Sequence, residues 1–198
     1  MDFGAIIAIL MGTVLINNYV LNRFLGICPF LGVTKELKNS VGMGLAIIFV
    51  MVFATAFTWP IYMFVLQQNG LSYLQTIVFV MVIASFVQLV EITLKKFVPS
   101  LYKAFGIFLP LMATNCAILA VTLENVRGGL TFAESMLTAF GAGLGFLIAM
   151  VIFSGIREQT ENSNPPEPFR GLPLTLMSMA ILSLSFFGFG GILENLFR

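Results

Sequence analysis

Hydrophobic residues come in long runs separated by short polar breaks. Residues 3–22, 41–66, 72–94, 104–124, 131–156 and 172–193 are predominantly apolar. Each is near the roughly 20 residues that cross a hydrocarbon core of about 30 Å as a helix. The breaks are compact: Lys35-Glu36-Leu37-Lys38, Gln67-Gln68-Asn69-Gly70, Lys95-Lys96, and a stretch with Glu124, Arg127, Gly128 and Gly129. The longest, 157–170, carries Pro165, Pro166 and Pro168 and reads as a surface loop. The pattern predicts an all-α integral membrane protein with six transmembrane segments.

Segments one and four are not clean. The first runs into Asn17, Asn18 and Arg23, then Phe24-Leu25-Gly26-Ile27-Cys28-Pro29-Phe30. Pro29 donates no backbone hydrogen bond and disfavours helix at Cys28, which predicts a break or a short half-helix there. The fourth holds Pro110, Thr114, Asn115 and Cys116 in its middle. Non-helical backbone at membrane depth is tolerated only where protein covers it. Segments two and five share small residues, Gly42 and Gly44 in one and Gly141, Gly143 and Gly145 in the other, which allow close helix packing. Trp59 and Tyr62 suit an interfacial belt.

These correspondences divide a single membrane domain, 1–198, into repeats of about 1–98 and 99–198. Three spans per repeat invert the second relative to the first. Inverted repeats with interrupted helices at matching positions point to a site near a pseudo-two-fold axis in the membrane plane.

Composition strengthens the membrane assignment: 59% of the 198 residues are hydrophobic and 10% charged, with a mean hydropathy of +1.00. Soluble domains carry about 25% charged residues. A formal net charge of +1, with no basic patch interleaved with aromatics, gives no reason to expect nucleic acid as a partner. No charged stretch precedes the first apolar run and no small-residue cleavage site follows it, so that run is expected to stay in the bilayer. Arg23, Lys35, Lys38, Lys95, Lys96, Lys103, Arg157 and Arg170 group on one side, against Arg127 and Arg198 on the other. The positive-inside rule then puts both termini outside.

Histidine is absent, which removes the commonest metal ligand and neutral-pH base. The candidate chemistry falls to the two cysteines, one in each interrupted segment. They suit iron–sulfur ligation, in which a [2Fe–2S] centre needs four thiolates and a homologous chain would bring the other two. Gly26 and Asn115 beside them would let backbone approach, or would donate hydrogen bonds to sulfur. The pair also suits thiol–disulfide electron transfer across the membrane. The plain alternative is two small buried residues that pack well.

Asn17-Asn18-Tyr19-Val20-Leu21, Phe24 through Val33, Gly106 through Leu111 with Thr114-Asn115-Cys116-Ala117, and Pro166-Glu167-Pro168-Phe169-Arg170-Gly171 together resemble the A subunits of Rnf complexes. The resemblance covers essentially the whole chain. The E subunits of sodium-pumping NADH:quinone reductases form a close family that shares both Cys regions. Pro29 and the Asn17-Asn18 pair favour the Rnf assignment.

The resemblance implies a non-catalytic subunit of a redox-driven translocase in the inner (cytoplasmic) membrane of a bacterium or archaeon. That translocase passes electrons between ferredoxin and NAD and moves Na⁺ or H⁺. It implies that Cys28 and Cys116 hold half of a [2Fe–2S] cluster shared with the homologous E subunit of the same Rnf complex. Flavin, NAD and ferredoxin sites would lie on other Rnf subunits. No G-x-G-x-x-G follows a strand here, so neither NAD nor flavin is expected on this chain. A secondary transporter with inverted repeats is a further alternative.

Two other features carry two readings each. Glu91 is either an ion-path carboxylate or a helix-end residue paired with Lys95 four positions on. Asn17, Asn18, Thr114 and Asn115 either serve the cluster loop or a cation path, or satisfy backbone groups freed by the breaks.

Overall fold

The computed structural model describes residues 10–16, 18–34, 37–68, 70, 72–97, 114–161, 163 and 166–196. Every regular element among them is helical. A π-helical turn, Gly12–Ile16, precedes α1 (Ile27–Val33), α2 (Leu37–Ile61, continued by a π turn Tyr62–Leu66) and α3 (Gln75–Phe97). Then follow α4 (Cys116–Arg127), α5 (Phe132–Glu161) and α6 (Leu172–Leu196). Leu37–Leu66, Gln75–Thr93 and Phe132–Thr160 are long and apolar enough to cross a membrane, and Leu172–Gly188 is a shorter apolar helix. They coincide with the predicted runs 41–66, 72–94, 131–156 and 172–193. The outer parts of segments one and four, 1–9 and 98–113 with Pro110, lie outside the described residues, as does Asn17.

These helices are apolar on every side. On α2, Met43, Ile47, Val50, Met51 and Ala54 are buried, while Leu45, Phe49, Phe53 and Phe57 are exposed. A helix that is hydrophobic all round needs either a deep core or a lipid environment, and the exposed phenylalanines call for lipid.

The centre of the molecule is the pairing of α2 with α5. Two glycines set it. A Cβ on Gly44 would meet the Leu147 side chain at 3.0 Å, and one on Gly143 would meet Ile48 at 2.9 Å, with the Ile48 Cα at 3.0 Å. The two contacts are reciprocal, because each glycine faces the residue four positions beyond the other glycine. They also make the helices antiparallel. Gly141 and Gly145, one turn apart, face the π turn of segment one: their added Cβ atoms would meet the Thr13 hydroxyl and the Val14 carbonyl. The glycine face predicted on segment five thus serves two neighbours.

Gly143→Val is expected to open the α2–α5 seam, because the obstruction includes backbone. Overpacking of this kind costs about 1–3 kcal/mol. Thermal unfolding of the detergent-solubilised protein reads it, and an unchanged midpoint would show the seam to be loose.

The two short helices diverge along α5. Arg157, near the end of α5, donates from Nη1 to the Leu31 carbonyl and the Thr34 hydroxyl oxygen, both at 3.1 Å, so α1 ends there. Arg157 thereby satisfies carbonyl groups that a helix C-terminus leaves without partners. α4 ends beside the start of α5. There the Leu130 N–H donates to the Asn125 carbonyl at 3.2 Å, and Trp59 Nε1 donates to the Leu130 carbonyl at 3.0 Å. Phe30 holds α1 in the core. It is fully buried, with Phe146 and Phe153 at ring-centroid distances of 5.4 and 5.6 Å.

Candidate functional site where two half-helices begin

Between the π turn and α1 the chain leaves helical geometry over residues 18–26, and its backbone groups find partners locally. Asn18 does most of this. Its Oδ1 accepts from the N–H groups of Val20 and Leu21 at 3.0 and 3.4 Å. Its Nδ2 donates to the Gly145 carbonyl at 2.9 Å. The Asn22 and Leu25 N–H groups donate to the Asn18 and Tyr19 carbonyls at 2.9 and 3.0 Å, and the Ser183 hydroxyl donates to the Leu21 carbonyl. Phe24 and Gly26 take positive φ, 55° and 85°, and turn the chain into α1.

The short half-helix expected at Cys28 is α1, and the irregular backbone lies before it. Cys28 is the second residue of α1 and Pro29 the third. In the first turn of a helix the backbone N–H has no intrahelical acceptor, so proline costs little there.

The second half-helix starts in the same place. Asn115 is the N-cap of α4, and its Oδ1 accepts from the Ala117 N–H at 3.0 Å. Cys116 is the first residue of α4. The two segments meet at one bond: the Gly26 N–H donates to Cys116 Sγ at 2.9 Å. No side chain larger than hydrogen fits at Gly26. A Cβ would stand 2.8 Å from the Phe146 ring and 3.2 Å from both the Ala117 Cβ and the Asn115 Oδ1. Gly26, Asn115 and Cys116 are thus in mutual contact, and Cys28 follows Gly26 by two residues.

Both thiols are free, Cys116 half-buried and Cys28 exposed at the surface of the chain. A cavity of about 240 Å³ opens at Cys116, lined by Thr114, Asn115 and Leu119 with Val80, Ile83 and Ala84 of α3. The Asn115 Nδ2 is buried and meets no acceptor among the described residues. A buried amide donor without a partner calls for an acceptor, and a negatively charged group held by the neighbouring thiol would be one. Among the described residues no three Cys, Asp or Glu gather to hold a metal ion within this chain. To such a group this chain offers two thiols, Cys28 and Cys116.

A polar cluster unmarked in the sequence lies alongside. Arg23 pairs with Glu124 through two bonds, Nη1 to Oε2 at 2.8 Å and Nη2 to Oε1 at 2.9 Å. The Tyr19 hydroxyl donates to the same Oε2 at 2.8 Å, and the Arg23 guanidinium lies 5.4 Å from the Tyr19 ring centre. This joins the break in segment one to the last turn of α4. It also corrects the charge grouping: Arg23 belongs with Glu124 and Arg127, at the opposite end of α5 from Arg157.

Glu124→Ala is expected to destabilise by about 1–3 kcal/mol, mostly through the buried Tyr19 hydroxyl left without an acceptor. The ion pair is 45% and 43% exposed and contributes at most about 1 kcal/mol. Glu124→Gln, which keeps an acceptor for Tyr19, should recover most of the unfolding midpoint.

A family model described as an Rnf-Nqr subunit, membrane protein, matches residues 6–193. The chain belongs to the Rnf-Nqr family. The A subunit of an ion-translocating oxidoreductase complex from Syntrophotalea carbinolica is 47% identical over 190 residues, 96% of this chain and 98% of the relative. The A subunit of the Na⁺-translocating ferredoxin:NAD⁺ oxidoreductase complex of Acetobacterium woodii is 47% identical over 186 residues, 94% and 97% of the two chains. The corresponding A subunit of an ion-translocating oxidoreductase complex from Edwardsiella ictaluri is 46% identical over 94% of this chain and 96% of its own. The names agree with the resemblance read from the Cys28 and Cys116 segments, and they describe components of redox-driven translocases.

The remaining candidates divide between the site and the rest of the molecule. Glu91 is half-buried in the last part of α3 and does not line the cavity at Cys116. Asn18 and the Oδ1 of Asn115 serve the backbone, whereas Thr114 and the Asn115 Nδ2 face the site's surroundings.

Proposed function

We propose that this chain is the membrane electron-transfer subunit of an ion-translocating ferredoxin:NAD oxidoreductase in the inner (cytoplasmic) membrane. Cys28 and Cys116 would supply two of the four thiolates of a [2Fe–2S] cluster, and a homologous membrane subunit the other two. When bound, the cluster supplies one-electron transfer within the membrane. The observation that carries this reading is the Gly26 N–H donated to Cys116 Sγ at 2.9 Å, which joins the two Cys segments although they are 90 residues apart.

The chain's own residues then have defined tasks. Gly26 lets the backbone reach the sulfur, and its N–H disperses the negative charge of a ligating thiolate. Hydrogen bonds of this kind raise reduction potential. Asn115 caps the half-helix that presents Cys116 and holds a second donor nearby. The exposure of Cys28 leaves it accessible to a partner's ligands. The reciprocal Gly44 and Gly143 contacts support two inverted repeats about an axis crossing the α2–α5 seam. Lys38, Lys95, Lys96, Arg157 and Arg170 favour a cytoplasmic location for the end of the molecule where α1 finishes. Negative charge added in a low-dielectric site is costly, and a cation entering nearby offsets it. This is the proposed basis for coupling to Na⁺ or H⁺ movement.

The test is iron and acid-labile sulfide in this chain copurified anaerobically with its homologous partner, with low-temperature EPR of the reduced sample. The expected result is two irons per pair and a signal from one reduced cluster. Absence of iron, with the two thiols oxidised to each other, would instead favour thiol–disulfide transfer.

A further inference from the structure

The turn over residues 18–26 meets α4 at two points. At one, the Gly26 N–H donates to Cys116 Sγ at 2.9 Å. At the other, the Glu124 carboxylate accepts from the Tyr19 hydroxyl at 2.8 Å and from the Arg23 guanidinium at 2.8 and 2.9 Å. Cys116 and Glu124 stand eight residues apart on α4, about 12 Å along its axis and close to one stripe of its surface. The two contacts are linked through the turn itself. The Gly26 N–H belongs to the peptide that joins Leu25 to Gly26, and the Leu25 N–H donates to the Tyr19 carbonyl at 3.0 Å. Tyr19 therefore bonds Glu124 with its side chain and the approach to Gly26 with its backbone.

The other anchors of the turn act elsewhere along it. Asn18 accepts from the Val20 and Leu21 N–H groups, and the Ser183 hydroxyl donates to the Leu21 carbonyl. The Phe146 ring and the Asn115 Oδ1 bar a side chain at Gly26, which limits its approach without aiming its N–H. Tyr19 is buried, and the Arg23 guanidinium lies 5.4 Å from its ring centre, so the ring is held on both sides of its hydroxyl bond. We propose that Tyr19 is a positioning residue for the Cys116 sulfur: anchored by Glu124, it fixes the Leu25–Gly26 peptide whose N–H meets Cys116 Sγ. Hydrogen bonds to a ligating sulfur tune reduction potential, so Tyr19 sets the potential of the redox centre that Cys116 holds. That consequence rests on the proposed role of Cys116 as a cluster ligand, whereas the positioning does not.

The experiment compares the whole chain in detergent with its Tyr19→Phe variant, which loses one hydroxyl and no charge. Hydrogen–deuterium exchange, resolved to the Leu25 and Gly26 amides by fragmentation mass spectrometry, reads how often these bonds open. Tyr19→Phe is expected to speed both amides about 10-fold, the effect on a local opening of losing one hydrogen bond to a charged group. Trp59→Phe also loses one hydrogen bond, but at the Leu130 carbonyl, and should leave both amides at the wild-type rate. Glu124→Ala should speed them at least as much as Tyr19→Phe, and Glu124→Gln, which keeps an acceptor for Tyr19, should return most of the protection. In the chain copurified anaerobically with its homologous partner, a redox titration followed by EPR should give a lower potential for Tyr19→Phe and the wild-type potential for Trp59→Phe. Wild-type exchange in Tyr19→Phe, equal acceleration in Trp59→Phe, or faster exchange with an unchanged potential would overturn the proposal. A preparation without iron removes the cluster reading alone, and the exchange rates then decide whether Tyr19 positions the Gly26 N–H.

Discussion

Under the proposed function, Cys116→Ser is expected to abolish iron binding in the chain copurified with its homologous partner while leaving the fold nearly intact. Serine at the start of α4 keeps a small polar side chain, and its Oγ can accept the Gly26 N–H that Cys116 Sγ accepts at 2.9 Å. The N-cap belongs to Asn115 and is untouched. Destabilisation should therefore remain within about 1 kcal/mol, the net worth of one hydrogen bond altered but not lost. The ligand field changes completely, since an alkoxide is a poor replacement for a soft thiolate toward iron. Iron per heterodimer should fall to background, with the unfolding midpoint of the apo protein within a few degrees of wild-type apo protein. Retention of two irons would remove Cys116 from the ligand set. A collapsed midpoint would make the residue a packing element.

Gly26→Ala should do the reverse and damage the fold first. Gly26 sits at a φ of 85°, a conformation that costs a residue with a Cβ about 1–2 kcal/mol. The added methyl would press the Phe146 ring at 2.8 Å and the Asn115 Oδ1 at 3.2 Å, and such overpacking costs about 1–3 kcal/mol more. A combined loss of about 2–5 kcal/mol follows. The displaced backbone would also withdraw its N–H from Cys116. Thermal unfolding reads the first effect, and the rate of Cys116 alkylation in a Cys28→Ser background reads the second. Faster alkylation with a lowered midpoint is expected. Wild-type values for both would show that the close approach at Gly26 is not structural.

Much of this architecture was legible in the chain. The long apolar runs required membrane-scale helices, and their limits agree with α2, α3 and α5 within a few residues. The glycines of segment five announced close packing, because nothing else explains three small residues on a lipid-crossing helix. The Cys28 and Cys116 segments were singled out by breakers and amides, and the structure joins them.

What escaped was non-local. Nothing near Glu124 in the sequence points to Arg23 or Tyr19, which lie 101 and 105 residues away. Arg157 read as a loop charge because its acceptors, Leu31 and Thr34, belong to the other end of the chain. Nor does the sequence show that the Trp59 indole donates to the Leu130 carbonyl. In segment one the short half-helix was legible but its start was not, because Pro29 reads as a helix breaker when a helix precedes it. Here it opens a new helix.

The long separations at the Cys segments have a consequence for biosynthesis. The turn over residues 18–26 depends on Gly145, Ser183 and Glu124, and Gly26 depends on Cys116. All are translated later. At the usual 5–20 residues per second, the 90 residues between Gly26 and Cys116 take roughly 5–20 s to make. Throughout that interval a non-helical stretch would stand without its protein cover, which lipid does not tolerate. The first segment must therefore wait in a sheltered compartment, at the insertion machinery or at the membrane surface, until the second half of the chain arrives. The order of assembly is thus written into the topology: chain first, closure second.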